Sequence, residues 1–280
     1  MMNSKYSVLM SLYINDNAKW FRVSINSMLN QTVPPDEVLI VCDGPLTEEL
    51  EEVLLSYKKR WKELFTIVRL PKNVGLGAAL NKGLPLCRNE LIARMDADDY
   101  SSPQRCEKQL QVFADCNVDV VGCNVNEFVG SIDNIVAHVI LPEKHEDIVT
   151  FARRRCPIRH PALMYKKSSV MKVNNYKEYR HAQDYNLIVR MIMDGSFVYN
   201  IQEPLVFMRT SEDFYMRRGG LSHAKIVLKL KKEFFNCHFY SLMDYIISGY
   251  GNAIIAILPN RLRKRFYNRF LRSTRMVRRS

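Results

Sequence analysis

Asp96, Asp98 and Asp99 follow directly on the apolar run Leu91-Ile92-Ala93-Arg94-Met95. Three carboxylates at the exit of a buried strand are costly unless a cation meets them. A hard divalent ion is the simplest partner, since such ions take oxygen ligands, often one or two carboxylates plus the phosphates of a bound substrate. Open α/β sheets bind ligands just beyond the carboxyl ends of their strands, which is where this triplet falls. Taken alone, the triplet reads first as a solvated acidic turn. Two further strand ends carry polar groups: Asp43, and the turn Asn73-Val74-Gly75-Leu76-Gly77. In a parallel sheet such ends share one edge, so the three groups converge. A glycine-rich turn opening a helix lets backbone N–H groups approach phosphate. Singly, GxG is also an ordinary tight turn, and an Asp after a strand an ordinary turn former or N-cap.

The elements that must position these groups are legible as alternating periods. β-type runs over 6–12, 37–42, 65–70, 91–95 and 118–123 alternate with helical spacing over 18–29, 47–62, a segment ending near 81–87, and 103–113. Asn17 is placed to cap the first helix. This alternation predicts an α/β fold with a mostly parallel, doubly wound sheet flanked by helices. Beyond residue 124 the pattern weakens, with two irregular strands expected over 124–140 and helices over 145–154 and 184–193. The expected division is a donor-side half over 1–123, an acceptor-side half of the same domain over 124–225, and a helical, basic C-terminal appendage over 226–280.

Composition is globular, with 47% hydrophobic and 25% charged residues. The seven cysteines form no CxxC pair, which argues against a zinc knuckle or disulfide scaffold and for a reducing cytosol. Residues 1–6 are polar and lack a signal-peptide core. Nine Lys/Arg and no acid lie in residues 260–280, so of the net +12 only +3 remains for the other 259 residues. A local anionic partner is expected rather than a broad nucleic-acid surface. Residues 239–258 are apolar but interrupted by Asp244, Ser248 and Asn252, which favours a surface-lying or core-packed segment over a membrane span. Leu262, Phe266, Phe270 and Val277 can share one helical face among the nine cations, the pattern of a basic amphipathic helix on an anionic leaflet. A disordered basic tail or an RNA-binding arm are the alternatives.

The order of motifs carries a resemblance. Ser7-Val8-Leu9-Met10-Ser11-Leu12-Tyr13, Ser24-Ile25-Asn26-Ser27-Met28-Leu29-Asn30-Gln31-Thr32, Glu37-Val38-Leu39-Ile40-Val41-Cys42-Asp43-Gly44, Lys72-Asn73-Val74-Gly75-Leu76-Gly77 and Met95-Asp96-Ala97-Asp98-Asp99 run in sequence. Over roughly residues 5–220 the chain resembles an inverting family-2 glycosyltransferase of the GT-A fold, in the bacterial O-antigen, capsule and exopolysaccharide branch. The resemblance implies that Asp43 accepts a hydrogen bond from a uracil-type base, which the turn at Ser11, Leu12 and Tyr13 flanks. It implies that Asn73 and Gly75 line the donor site and that Asp96 contacts ribose or metal. Asp98 would be the principal ligand of a Mn²⁺ or Mg²⁺ ion on the sugar-nucleotide diphosphate. Cys42 stands where many members carry a second Asp.

Sugar transfer with inversion needs a general base opposite the leaving diphosphate. In the family this is an Asp opening a helix after a polar loop, a place held here by Asp184, which on capping statistics alone reads rather as an N-cap. Gln183 replaces the acid that many relatives carry there, removing a charge that would raise the pKa of Asp184. His160 matches a family position near acceptor or metal, or is a structural histidine before a proline. Arg217 and Arg218 match a loop that could clamp diphosphate. The resemblance further implies a UDP-sugar donor, a lipid-diphosphate-linked saccharide acceptor, and a cytoplasmic enzyme peripheral to the inner membrane face through residues 260–280, with no nucleic acid as partner. The rival readings are a nucleotidyltransferase, a nucleic-acid-binding protein acting through its tail, and a degenerate, inactive relative.

Overall fold

Tyr6–Leu12 (β1), Ala18–Leu29 (α1) and Glu37–Cys42 (β2) open a sheet covered on both faces. The two strands divide their side chains by parity. Tyr6, Val8, Met10 and Leu12, with Val38, Ile40 and Cys42, enter one core with Phe21, Ile25 and Met28 of α1. Leu9, Leu39 and Val41 enter the other. Every residue of β2 is buried, as expected of a parallel strand inside a doubly covered sheet. Glu48–Arg60 (α2), Phe65–Arg69 (β3), Leu76–Gly83 (α3) and Leu91–Met95 (β4) complete the first half. Local signals set the helix ends: Asn17 accepts from the Lys19 and Trp20 N–H groups, and Thr47 from that of Leu50. Three glutamates in the first turn of α2 and Lys58, Lys59 and Arg60 in its last complement the helix dipole.

The computed structural model describes residues 5–179, 182–210, 219–259, 262 and 274–276. Strands run in the order β3-β2-β1-β4, all parallel. In register, Met10 lies beside Ile40 on one side and Met95 on the other. The carboxyl ends therefore line one edge, where the predicted groups meet.

Beyond β4 the sheet becomes mixed. The second half contains Tyr100–Ser101 (β5), Arg105–Asp115 (α4), Val120–Phe128 (β6), Ile135–Val139 (β7), His145–Ala152 (α5), Met164–Lys166 (β8), Lys167–Lys172 (α6), Gln183–Met193 (α7) and Val198–Arg209 (β9). β8 pairs antiparallel with both β4 and β6, and β7 antiparallel with β6, while β9 runs parallel to β6. The sequence predicts a mostly parallel sheet. Parallel pairing holds through the regular βαβ units; β7 turns back on β6 after residues 129–134, a connection too short for a parallel crossover, while β8 enters antiparallel between β4 and β6.

Leu221–Asn236 (α8), Leu242–Asp244 (α9), a π-helical stretch over Tyr245–Tyr250, and Gly251–Ile257 (α10) form the helical appendage. It is tied to α7 through a cluster of Tyr185, Val189, Leu230, Phe234 and Tyr240. No helix among the described residues is long and apolar enough to cross a membrane. Of the basic tail, Leu262 and Thr274–Met276 are described. The latter (β10) form a strand antiparallel to β7, and Phe266, Phe270 and Val277 of the expected amphipathic face lie outside the described residues.

Candidate active site

Asp43 joins the ends of β1 and β2, donating its backbone N–H to the Leu12 carbonyl at 2.7 Å. Its buried carboxylate accepts from the Val74 N–H (2.7 Å) and the Gly75 N–H (3.0 Å), and Asn73 Nδ2 donates to its carbonyl at 3.4 Å. Asp43 thus anchors the glycine turn that opens α3. A side chain at Gly44 would place its Cβ 2.8 Å from the Asn73 nitrogen, at a φ of +91° that favours glycine anyway, so the two loops can pack only with glycine there. Sequence reasoning offered the N–H groups of this turn to phosphate; in the structure Val74 and Gly75 direct theirs to Asp43. Each Asp43 oxygen keeps acceptor capacity for one further donor. Ser11 and Leu12 end β1 at the same edge, followed by Tyr13, which is exposed. Cys42 is fully buried in the core and burial pushes its thiol up to about 11, so it is a neutral core residue.

Beside this edge, carboxylate oxygens of Asp96, Asp98 and Asp99 lie within 4.8 Å of one another. Several elements fix them. Ser24 Oγ of α1 donates to the Asp96 carbonyl at 2.6 Å. Ser27 Oγ accepts from the Ser101 N–H, and Gln31 holds Ser101, Ser102 and the Cys106 N–H. The α1 motif is therefore the clamp for the acidic turn. From the other side the Arg209 N–H, at the end of β9, donates to Asp99 Oδ1 at 2.7 Å, and its Nε to the Asp98 carbonyl at 3.1 Å. The Arg209 guanidinium lies over the Trp20 and Phe128 rings, 4.4 and 4.6 Å from their centroids.

Crowding and burial leave the cluster short of positive charge. Burial, then the Asp96 charge, pushes the Asp98 carboxyl up to about 6, and burial with both neighbours raises Asp99 well above the usual carboxylate range. Asp16, whose carboxylate accepts from the Tyr13 N–H at 2.9 Å, is pushed up to about 7 by burial and by facing Asp98 and Asp96. Arg209 sets its charge against Asp98 and Asp99, and inside the fold Arg94, 1% exposed, pairs with Asp96. Its Nε and Nη1 are buried with no acceptor among the described residues.

Asp184 arrives from the second half. Ala182, in the left-handed region at φ 65°, turns the chain into α7, and Asp184 sits in its first turn. The start of α7 packs on the glycine turn, since a Cβ on Gly77 would lie 3.4 Å from Tyr176 Cβ and 3.6 Å from Gln183 Cβ. Cys156 Sγ lies 3.8 Å from Asp184 Oδ2. Tyr176 stands between the two halves, its phenol pushed up to about 12 chiefly by burial and feeling the charges of Arg94, Asp184 and Asp96. His160 is buried, its Nε2 3.0 Å from the Tyr176 hydroxyl. Burial and the Arg94 cation hold its imidazole well below the usual histidine range, so it is neutral. Arg217 and Arg218 lie outside the described residues. Asp16, Arg94 and Arg209 escaped the sequence reading. Arg94 had a local signal, a cation inside an apolar strand two residues before an acid; Asp16 and Arg209 are placed by the fold alone.

The comparisons with known proteins agree with this geometry. A sequence model for "Glycosyl transferase family 2" matches residues 7–173. An uncharacterized glycosyltransferase of Haemophilus influenzae is 33% identical over 269 residues, covering 96% of this chain and 99% of its own. A UDP-Gal:alpha-D-GlcNAc-diphosphoundecaprenol beta-1,3-galactosyltransferase of Escherichia coli is 33% identical over 271 residues, covering 96% and 97%. Among solved structures, S. aureus TarS in complex with UDP-GlcNAc superposes with a TM-score of 0.66 at 15% identity, over 96% of this chain and 76% of that one. The chain spans 46% of a longer TarS structure. At that identity the likeness shows the fold, the GT-A arrangement that the motifs implied.

Proposed function

The chain belongs to glycosyl transferase family 2, and on that premise we propose that it moves one sugar from a UDP-sugar to a polyprenyl-diphosphate-linked saccharide, with inversion, in bacterial surface polysaccharide assembly. The observation that carries the reading is the meeting, at one sheet edge, of the Asp43-anchored turn, the acidic cluster and the first turn of α7. The donor and acceptor classes follow the Escherichia coli relative, which matches over nearly its whole length. Residues 1–123 would bind the donor, 124–225 the acceptor, and 226–280 the membrane surface at the cytoplasmic face. Family membership leaves the nucleotidyltransferase and nucleic-acid readings without support.

Asp43, Ser11, Leu12 and Tyr13 would hold the base, with Asn73 and Gly75 shaping the floor beside it. The cluster fits a hard divalent ion: its donors are carboxylate oxygens, crowded and under-neutralised. Mn²⁺ or Mg²⁺ held by Asp98 with Asp96 would supply positive charge against the departing diphosphate. Arg94 keeps two buried nitrogens, Nε and Nη1, whose N–H groups can meet an incoming acceptor oxygen. Asp184 would take the proton of the acceptor hydroxyl as that oxygen attacks the anomeric carbon from the face opposite UDP. Neutral His160 and Tyr176 form the wall between the halves. Arg217 and Arg218 remain candidates for the diphosphate. Transfer activity of Asp98→Ala and Asp184→Asn tests these roles; full activity in either would overturn its assignment.

A further inference from the structure

The appendage is built with its polarity reversed. Between residues 241 and 259 every exposed residue is uncharged, and all but Ser241 and Pro259 are large and apolar or tyrosine. Leu242, Met243, Ile246, Ile247, Ile254 and Ile257 are each 47–63% exposed, at spacings that line one side of a continuous helical path. Of the three polar residues that interrupt this run in sequence, Asp244 and Ser248 point the other way and Asn252 is half-buried. Asp244, 6% exposed, pairs with Arg154, and its carboxylate accepts from the N–H and hydroxyl of Ser241, the N-cap of α9. Ser248, 3% exposed, donates to the Arg154 carbonyl at 3.0 Å. A surface helix in water shows the opposite arrangement.

We infer that this stripe is a lipid-docking face, lying in the plane of an anionic bilayer with α9 and α10 sunk to the depth of their exposed side chains. An exposed apolar surface of this continuity marks an interaction site. Lipid is the occupant that the charge pattern selects, because the residues that follow, 260–280, carry nine cations and no acid, which complements phospholipid head groups. The helices lie on the surface, consistent with the absence of a spanning helix among the described residues. The face is joined to the site through α8, which packs on α10 and, through Leu230, Phe234 and Tyr185, the residue after Asp184, on α7. Docking would therefore hold the first turn of α7 near the membrane surface, where a lipid-diphosphate acceptor presents its sugar. The choice of lipid rests in part on that proposed acceptor.

The test uses the full chain with vesicles of phosphatidylethanolamine and phosphatidylglycerol. An Ile247→Trp chain should give a blue-shifted emission on mixing that brominated lipids quench. The triple variant Ile246→Gln/Ile247→Gln/Ile254→Gln, neutral and confined to exposed positions, should lower vesicle partitioning by about tenfold or more. It should keep its thermal midpoint and its UDP release with a water-soluble short-chain diphosphate acceptor. An unshifted, unquenched indole, or a triple variant that partitions like the unaltered chain, would overturn the inference. So would a triple variant that changes a dimer into a monomer with partitioning intact, which would assign the face to a second copy. Turnover with the soluble acceptor reports on the proposed function alone, so the two readings can fail separately.

Discussion

Replacing Asp98 separates two effects of one carboxylate. It removes an oxygen donor from the cluster, so Asp98→Asn should abolish most transfer. It also relieves repulsion in the metal-free protein. A carboxyl raised to about 6 in the folded state disfavours folding above that pH and stops doing so as protonation sets in below it. Asp98→Asn should therefore melt higher than the unaltered chain at pH 8, and the gap should close as the pH falls through about 6. Saturating Mg²⁺ or Mn²⁺ should close it at pH 8 from the other side. A gap independent of pH and metal in thermal melts would mean that the cluster is not short of cations. For Asp184→Asn the expectation is a fall in kcat of about 10²–10⁴-fold with the KM for UDP-sugar little changed, the loss typical of a general base; a raised KM with unchanged kcat would place Asp184 in binding instead. At this scale the sequence was most legible where chemistry is local. Asp96, Asp98 and Asp43 stand at strand ends that any period reading finds. Arg209 does not, because it reaches the cluster from the end of β9, 110 residues beyond Asp99.

Elements position the site through a few close contacts. Gly83 ends α3 against the sheet: a Cβ there would lie 2.5 Å from Val41 Cγ2 and 2.9 Å from Leu9 Cδ1. Gly83→Ala should destabilise the fold by about 1–3 kcal/mol, the range for overpacking a filled core, read as a lowered urea midpoint at unchanged slope. Arg209 is the link between β9 and the acidic turn. Arg209→Lys keeps a charge but loses the planar contact with Trp20 and Phe128 and the Nη1 bond to the Gly130 carbonyl. Both Arg209→Lys and Arg209→Ala should lose about tenfold or more in kcat/KM; full rescue by lysine would reduce the role to charge alone. The first half was readable because apolar residues alternate there between two faces, and the helices carry caps such as Asn17 and Thr47. In the second half β8 pairs antiparallel with β4 and β6, and β9 parallel with β6, across sequence distances that no local pattern encodes. The α1 motif shows a further limit: Ser24, Ser27 and Gln31 could be matched as words, yet their purpose as a clamp on residues 96–106 is visible only in three dimensions.

The whole molecule is a nearly balanced catalytic body with an apolar, cation-flanked end. Deleting residues 260–280 should weaken binding to anionic vesicles, most at low salt, while donor hydrolysis in solution persists; loss of both would make the tail part of the fold. Asp244, Ser248 and Asn252 made residues 239–258 look unsuited to a membrane span in sequence. The structure turns the first two inward, and a one-dimensional hydropathy reading cannot see which way they face. The central claim is that this chain transfers a sugar from UDP with help from its acidic cluster. Its most direct test is UDP release from a panel of UDP-sugars, with a synthetic GlcNAc- or GalNAc-diphosphate-lipid acceptor, in Mn²⁺ and in EDTA. Release is expected with one UDP-sugar, requiring both the acceptor and the metal and vanishing in Asp98→Ala. Release that is indifferent to EDTA and to Asp98→Ala, or no release with any UDP-sugar, would contradict that claim.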